Sequence, residues 1–566
     1  MNLKIVAVTM ILLLHIVHRA YAEVTAREMV VTNGDRQVTL SWKMPDNSAS
    51  RIGGYRIYQL RDGTELAYQV ADSFLVKDVK KDTTLTINGL RNGEQYVFLL
   101  KAYDQEGKEH GVTYLPSYPG SDPARKPAVP ANVYGAEGNN RVALFWSKST
   151  ERDIAGYEVF RRCSTDDRMR LISRVSKIIR QEYKAPGESG KKITAQFVSP
   201  GIMQDAKVKN GDICTYLVRS VNKAGTVSDF SIPVGLQPRP TADTAPQGLV
   251  LLVNSHIPES EEVAQYYAKK RNIPTENIVR LPINRNLDKF DYVEEMQKPL
   301  QKYLLAKGLA GKVNYLIPCY GVPFRTAGRA VDSKLADLFD RYTWGRTLGT
   351  PNPFYGSTRE FDGTYGLYLV TRIDGPTAEI AKGLVDKALL AQQQQLTSRS
   401  GTAYFSANFP WNETYKPISE ARAIARKSGI AEVYKNGTFK AGEIGNDALW
   451  YFTMRYPYEK PKNGPWRPGA VAAHLISDSF VGIKAPPKSV KSWVQELLEA
   501  GITGTFGAVI EPQLQGYTRP DIFFSRFWSG DFNFAEAFYQ ATPTIQWAMS
   551  AVGDPLYQIK KPMGVK

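Results

Sequence analysis

Two sets of side chains in this chain have the types and the spacing for chemistry. In the first, Cys319 ends one apolar run and His474 ends another. A nucleophile needs a base within hydrogen-bond reach and a third group to orient that base. Asp374, Asp478 and Glu511 are the available carboxylates, so Cys319, His474, Asp374 and Glu511 form the candidate catalytic set. An adjacent imidazole would lower the pKa of the thiol. Against this, Cys319 follows Pro318 on an apolar strand, where a free cysteine is ordinarily a small buried hydrophobe. His474 is then a hydrogen-bonded core histidine. The second set joins carboxylates to arginines, with Arg325, Asp332, Arg372 and Ser477 as expected substrate contacts beside Asp374 and Glu511. Two acids at one rim suit glycoside hydrolysis. The stretch from Arg372 to Pro376 reads equally as a turn in which Asp374 accepts backbone N–H groups.

These residues need a frame. Residues 470–476 form an apolar run, 489–501 place Val490, Trp493, Val494, Leu497 and Leu498 at helical spacing with Gly501 as the stop, and 502–510 are apolar again. Strand, helix and strand in that order predict a right-handed βαβ unit with parallel strands. Ligands of open α/β sheets sit beyond the carboxyl ends of the strands. His474, Ser477, Asp478 and Glu511 are therefore expected at one rim, and a single sheet is expected to bring the other site segments to the same mouth.

With 566 residues the chain is too long for one core, and 43% hydrophobic residues are enough for packed domains. Residues 1–22 read as a cleaved secretory leader: Lys4, an apolar core from Ile5 to Ile16, then Ala20-Tyr21-Ala22. No later run is long enough for a membrane span, so no integral membrane segment is expected after cleavage. Loss of Lys4 and Arg19 takes the formal charge from +16 to +14. Lysines and arginines are scattered and no nucleic-acid motif is present, so the basic balance points to solubility and weak attraction to anionic surfaces. The expected partner is an extracellular or periplasmic polymer or protein, and no cofactor is expected. Of the three cysteines, Cys163 and Cys214 fall in one domain. No His/Cys cluster has zinc-ligand spacing.

From Glu23 to about Pro116, short alternating runs separated by turn signals predict an all-β sandwich. The plan recurs about 100 residues later: Trp42 followed by Gly54-Tyr55 is matched by Trp146 followed by Gly156-Tyr157. With Leu90, Gly93 and Tyr96 spaced as a tyrosine corner, these residues resemble fibronectin type III domains. The resemblance puts Cys163 after the third strand and Cys214 at the start of the sixth, and so implies a Cys163–Cys214 disulfide, the alternative being two buried thiols. Pro-rich linkers at 116–130 and 238–246 then space or present the C-terminal part of the chain.

From Gln247 onward, strands alternate with amphipathic helices, which predicts a mostly parallel sheet covered on both faces. Strands are expected at 248–254, 277–283, 313–320, 366–374 and 448–454, with helices at 260–271, 290–309 and 378–394. The 322–364 connection is long enough to cover a site. No phosphate-binding loop, nucleophile elbow or zinc-protease motif is present. Asn254, Ser260, Arg271, Val331-Asp332-Ser333, Arg372 through Pro376, His474, Trp493, Glu511-Pro512 and Gly553 through Tyr557 resemble a family of exported bacterial proteins to which no activity is assigned. A more distant resemblance reaches the gingipain-like, caspase-fold peptidases. It implies a caspase-like fold, yet those enzymes need a His after one strand and a Cys after the next. Here His474 and Ser477 stand where the Cys belongs. The expected organisation is a leader at 1–22, fibronectin type III-like domains at 23–117 and 127–237, and an α/β caspase-like domain at 246–562. It acts as a hydrolase or as a non-catalytic envelope or surface binding protein.

Overall fold

Side chains alternate between core and solvent along Gln37–Lys43, the pattern of a strand with one buried face. The computed structural model describes residues 27–562 except 44–51, 61–72, 92–95, 120–125, 185–191, 241–247, 285–288, 343–348, 408–415, 455–465, 484–491 and a few single or paired positions. The expected leader and most of the second linker lie outside the described residues.

The first sandwich has strands β1 (Arg27–Gly34), β2 (Gln37–Lys43), β3 (Ile52–Leu60), β4 (Ser73–Val79), β5 (Thr84–Asn88), β6 (Tyr96–Asp104) and β7 (Glu109–Ser117). They form sheets β1-β2-β5 and β4-β3-β6-β7. The second has β8 (Tyr134–Gly138), β9 (Arg141–Phe145), β10 (Ile154–Cys163), β11 (Arg170–Ser176), a β12 (Ile178–Lys184)–β13 (Lys192–Val198) hairpin, β14 (Ile202–Asp205), β15 (Cys214–Asn222) and β16 (Val234–Leu236). Its sheets are β14-β9-β8 and β11-β10-β15-β16. Each copy packs its Trp on its Tyr, Trp42 on Tyr55 at 5.4 Å and Trp146 on Tyr157 at 5.2 Å between ring centroids. The Tyr96 hydroxyl accepts from the Arg91 N–H at 3.0 Å, closing the corner. In the second copy Tyr216 instead donates to Asp205 at 3.0 Å. Cys163 and Cys214 are register partners on β10 and β15 and are disulfide-bonded.

The α/β domain runs β17 (Leu249–Asn254), α1 (Pro258–Arg271), β18 (Ile278–Leu281), α2 (Lys298–Ala306), β19 (Tyr315–Pro318), the hairpin β20 (Arg325–Thr326) and β21 (Arg329–Ala330), α3 (Val331–Ala336), β22 (Thr350–Pro351), β23 (Leu369–Val370), α4 (Ala378–Gln393), β24 (Thr402–Ala407), α5 (Pro417–Lys427), β25 (Glu432–Asn436), β26 (Ala448–Met454), β27 (Val471–His474), α6 (Trp493–Glu499), β28 (Gly504–Ala508), α7 (Gln513–Gly516), α8 (Pro520–Ser529), α9 (Phe534–Ala541), β29 (Thr544–Ile545) and β30 (Met549–Val552). The helix expected from residue 260 starts earlier: Ser260 lies inside α1, whose N-cap is Ile257, and its hydroxyl accepts from the Asn254 N–H at 3.0 Å.

Four parallel strands, β18-β17-β19-β23, form one half-sheet, and β25-β24-β26-β27-β28-β30 form the other. In the second half-sheet every pair is parallel except β28–β30. Arg372, just beyond β23, joins the halves through a parallel bridge to Val552: its N–H donates to the Ala551 carbonyl at 3.0 Å and its carbonyl accepts from the Gly553 N–H at 3.1 Å. Since β30 is antiparallel to β28 and parallel to the first half, the two parallel sets run in opposite directions. Their carboxyl ends therefore lie on opposite edges of one sheet. This corrects the expectation of a single shared mouth, because strand polarity across the seam is set by a long-range pairing that local patterning does not encode. One continuous apolar core spans both halves.

The second sandwich is docked on this domain. Arg341 places its guanidinium 4.6 Å from the Phe145 ring centroid and 4.8 Å from that of Phe339, and bonds the Tyr134 hydroxyl. Arg141 pairs with buried Asp362 and donates to Thr364 at 3.0 Å; Gln204 donates to the Thr364 carbonyl at 2.9 Å. Lys148 reaches the Asp340 carbonyl. A Cβ on Gly311 would lie 1.9 Å from the Gly135 carbonyl oxygen, so this approach of the two domains requires a glycine.

Candidate functional site

Cys319 follows β19 in the first half-sheet, where its N–H donates to the Leu252 carbonyl and it bridges to Ile373. Its side chain is fully buried, and burial drives the thiol well above the usual range. His474 ends β27. From β19 the sheet order runs through β23, β30 and β28 before reaching β27, four steps that amount to about 19 Å at about 4.8 Å each. The two residues also point toward opposite edges, so the structure does not form the Cys319–His474 dyad. His474 is 2% exposed and packs on Trp493, ring centroids 4.9 Å apart.

Arg372 and Asp374 are equally enclosed. Arg372 Nε and Nη2 bind Asp332 at 2.9 and 2.8 Å, Nη1 binds Asp374 at 2.8 Å, and the carbonyls of Val322 and Pro323 accept at 3.1 Å each. Ser550 adds a hydroxyl bond to Asp332. The facing carboxylates outweigh desolvation and hold the guanidinium above its ordinary pKa. Asp374 also accepts from the Gly375 N–H at 2.9 Å, as the turn reading required. The expected substrate contacts Asp332 and Arg372 thus form a buried clamp on the 322–323 turn, and no ligand reaches them as they stand. Asp554 accepts from the Leu556 N–H at 3.0 Å, pairs with Arg271 and accepts from Tyr267 at 2.7 Å. No strand comes after it among the described residues.

The accessible polar cluster lies at the carboxyl ends of β27 and β28. There the Ser477 hydroxyl donates to Glu511, which also accepts from the Gln513 N–H at 2.6 Å. Asp478 adopts a left-handed conformation, φ 58°, and is exposed. Tyr517, which sequence reading missed, contacts Ser477; burial and the Glu511 and Asp478 charges raise its pKa. The Ser479 hydroxyl accepts from the Ala508 N–H at 3.0 Å and ties the two strand tips together. The β20–β21 hairpin reaches back to the same edge. The Ala330 N–H donates to the Trp547 carbonyl at 2.7 Å, Phe324 meets Phe480 at 6.2 Å between centroids, and Arg325 is exposed. Part of the long 322–364 connection therefore lines this mouth. Nothing near Tyr517 in the sequence, Gln-Gly-Tyr-Thr-Arg-Pro, marks it as a site residue. What the cluster offers is hydrogen bonding and negative charge, without an imidazole or thiol at the surface.

Fold and site together define a multidomain protein: two fibronectin type III-like sandwiches followed by an α/β domain with a largely parallel sheet. Residues 25–114 match the fibronectin type III domain. The chain is 31% identical over 130 residues to chitinase A1 of Niallia circulans, a match that covers 22% of this chain and 16% of that protein's length. Among solved structures, the chicken CNTN1 FN1-FN3 domains align over 38% of this chain and 67% of theirs at 15% identity and TM-score 0.25. A two-domain fibronectin type III segment of chicken tenascin aligns over 38% and 98% at 14% identity and TM-score 0.16. No helix among the described residues is long and apolar enough to cross a membrane.

Proposed function

We propose that this is an exported binding protein whose α/β domain resembles the caspase-like fold without its peptidase chemistry. The ligand is held at the mouth formed by Ser477, Glu511, Tyr517 and the Arg325 hairpin. The observation that carries the reading is the position of Cys319, buried on the far edge of the sheet from His474. A thiol needs thiolate character and a base in reach, and Cys319 has neither. Export is supported by the leader, the Cys163–Cys214 disulfide, which suits an oxidising compartment, and the match to part of a chitinase. An extracellular or periplasmic polymer or protein is the partner class. A second reading, a serine hydrolase, draws on the Ser477–Glu511 bond, because a carboxylate that accepts from a hydroxyl is placed to take its proton.

One experiment separates them. Purified cell-wall polymer is sedimented with the full chain, and soluble products are assayed in the same tubes. The binding reading expects co-sedimentation that weakens in S477A and E511A, with no products released. Products that disappear in S477A would replace it with the hydrolase. Sedimentation indifferent to both substitutions would remove the mouth as the binding site.

A further inference from the structure

The two sandwiches share a device that neither the fold nor the docking accounts for. In the first, the Lys101 ammonium on β6 lies 5.1 Å from the ring centroid of Tyr58 on β3. In the second, the Arg219 guanidinium on β15 lies 5.0 Å from that of Phe160 on β10. The positions correspond: Tyr58 and Phe160 stand at the same offset from Gly54-Tyr55 and Gly156-Tyr157. Lys101 is the register partner of Arg56, and Arg219 that of Glu158. A carboxylate steadies each cation, Glu109 on Lys101 at 2.9 Å and Glu158 on Arg219 at 2.7 Å. A cation over an aromatic ring is favourable, and its repetition in two copies with few identical residues marks the face they share.

In the second sandwich this face is turned outward, because the α/β domain docks on the opposite sheet, β14-β9-β8. Phe230 extends the apolar part; it is 43% exposed, 5.1 Å from Phe160 and 5.2 Å from Arg219. Arg162 is exposed, and the Arg174 side chain is 74% exposed with its Nε on Glu158 at 3.0 Å. Three arginines against one glutamate leave the face cationic.

We propose that this outer face of β11-β10-β15-β16 binds a linear acidic polysaccharide, with the corresponding face of the first sandwich as a second, less charged site. Charge complementarity selects the anion: a guanidinium pairs with carboxylate in a planar fork, and Arg162 and Arg174 present theirs to solvent. The exposed Phe230 ring supplies an apolar surface for the C–H face of a sugar. A device repeated along one chain suits a ligand that repeats along its own, since a second weak contact gains by effective concentration. A globular protein partner would want a larger desolvated apolar centre than one exposed ring ringed by charge.

The test uses the full, disulfide-intact chain in affinity electrophoresis against polygalacturonate, with dextran as neutral polymer, polyglutamate as acidic polypeptide and single-stranded DNA as nucleic acid. Retardation is expected with polygalacturonate alone and should fade with added salt. The charge-reversal pair R162E/R174E and, separately, F230A should each weaken it about tenfold or more, a difference of about 1.4 kcal/mol, with melting temperatures unchanged. Equal retardation by dextran, or by polyglutamate or DNA with F230A behaving as wild type, overturns the proposal. Retardation unaffected by both variants overturns it as well.

Discussion

Arg372 turns its donors inward: five hydrogen bonds run to two carboxylates and two backbone carbonyls, and its side chain is 0% exposed. Removal of the cation would leave Asp332 and Asp374 buried without their counter-charge, a situation that costs about 3–5 kcal/mol. Arg372→Met should therefore shift the urea midpoint strongly downward; a midpoint near wild type would show that the clamp holds nothing. Cys319 makes the complementary case. Its thiol is expected to stay silent toward a thiol reagent in the native protein. Denaturation without reductant should release one thiol, and denaturation with prior reduction three, because Cys163 and Cys214 are bonded. Three thiols without reduction would refute the bridge. Residue types alone flagged these positions, but a buried ion cluster and a surface site use the same residues. What separates Arg372 from Arg325 is burial, which depends on segments far away in sequence.

At the scale of elements, two buried carboxylates sit at joints between segments. Asp337 follows α3 and accepts from the Arg341 and Tyr342 N–H groups at 2.7 and 2.9 Å, shaping the loop that meets the second sandwich. Glu536 closes a capping box with Asn533 at the start of α9 and accepts from the Phe361 N–H at 2.8 Å. Burial raises both, each to about 7, against the opposing pull of those N–H groups. A carboxyl whose folded pKa is raised stabilises the fold most at low pH and loses that contribution as pH climbs through the folded value. Groups held low, such as Glu109 at about 2, vary only below the ordinary carboxylate range. The melting temperature should therefore be several degrees higher at pH 5.5 than at pH 8. Asp337→Asn should reduce that slope, and a curve flat across the interval would contradict the burial account. Elements with a strong period were legible: the strand read at 448–454 is β26, and the helix read at 378–394 is α4. The stretch holding β24, α5 and β25 was not read, since Thr402–Ala407 mixes small and polar residues although all six are buried. Its strand character comes from neighbours on both sides.

At the scale of the molecule, the two half-sheets begin alike, each in the order second, first, third, fourth strand, and meet with opposed polarity at Arg372 and Val552. That geometry divides the candidate residues between two edges and leaves Arg325, Ser477 and Glu511 as the accessible ones. The second sandwich belongs to the same unit, although its proline linker reads as a spacer. Contacts between domains of one chain are ordinarily modest and permit motion. Here Arg341 is sandwiched between rings, Asp362 is buried under Arg141, and the backbones touch at Gly135 and Gly311. A chain of residues 127–566 should melt within a few degrees of the full protein. A chain of residues 246–566 exposes Phe339, Arg341 and Asp362 at once, and should melt well below it or aggregate. Should the shorter chain fail to fold for other reasons, Arg141→Ala in the full protein reads the same joint, because it strips the buried Asp362 of its cation. Equal melting of 127–566 and 246–566, together with an Arg141→Ala variant like wild type, would make the second sandwich a tethered module after all.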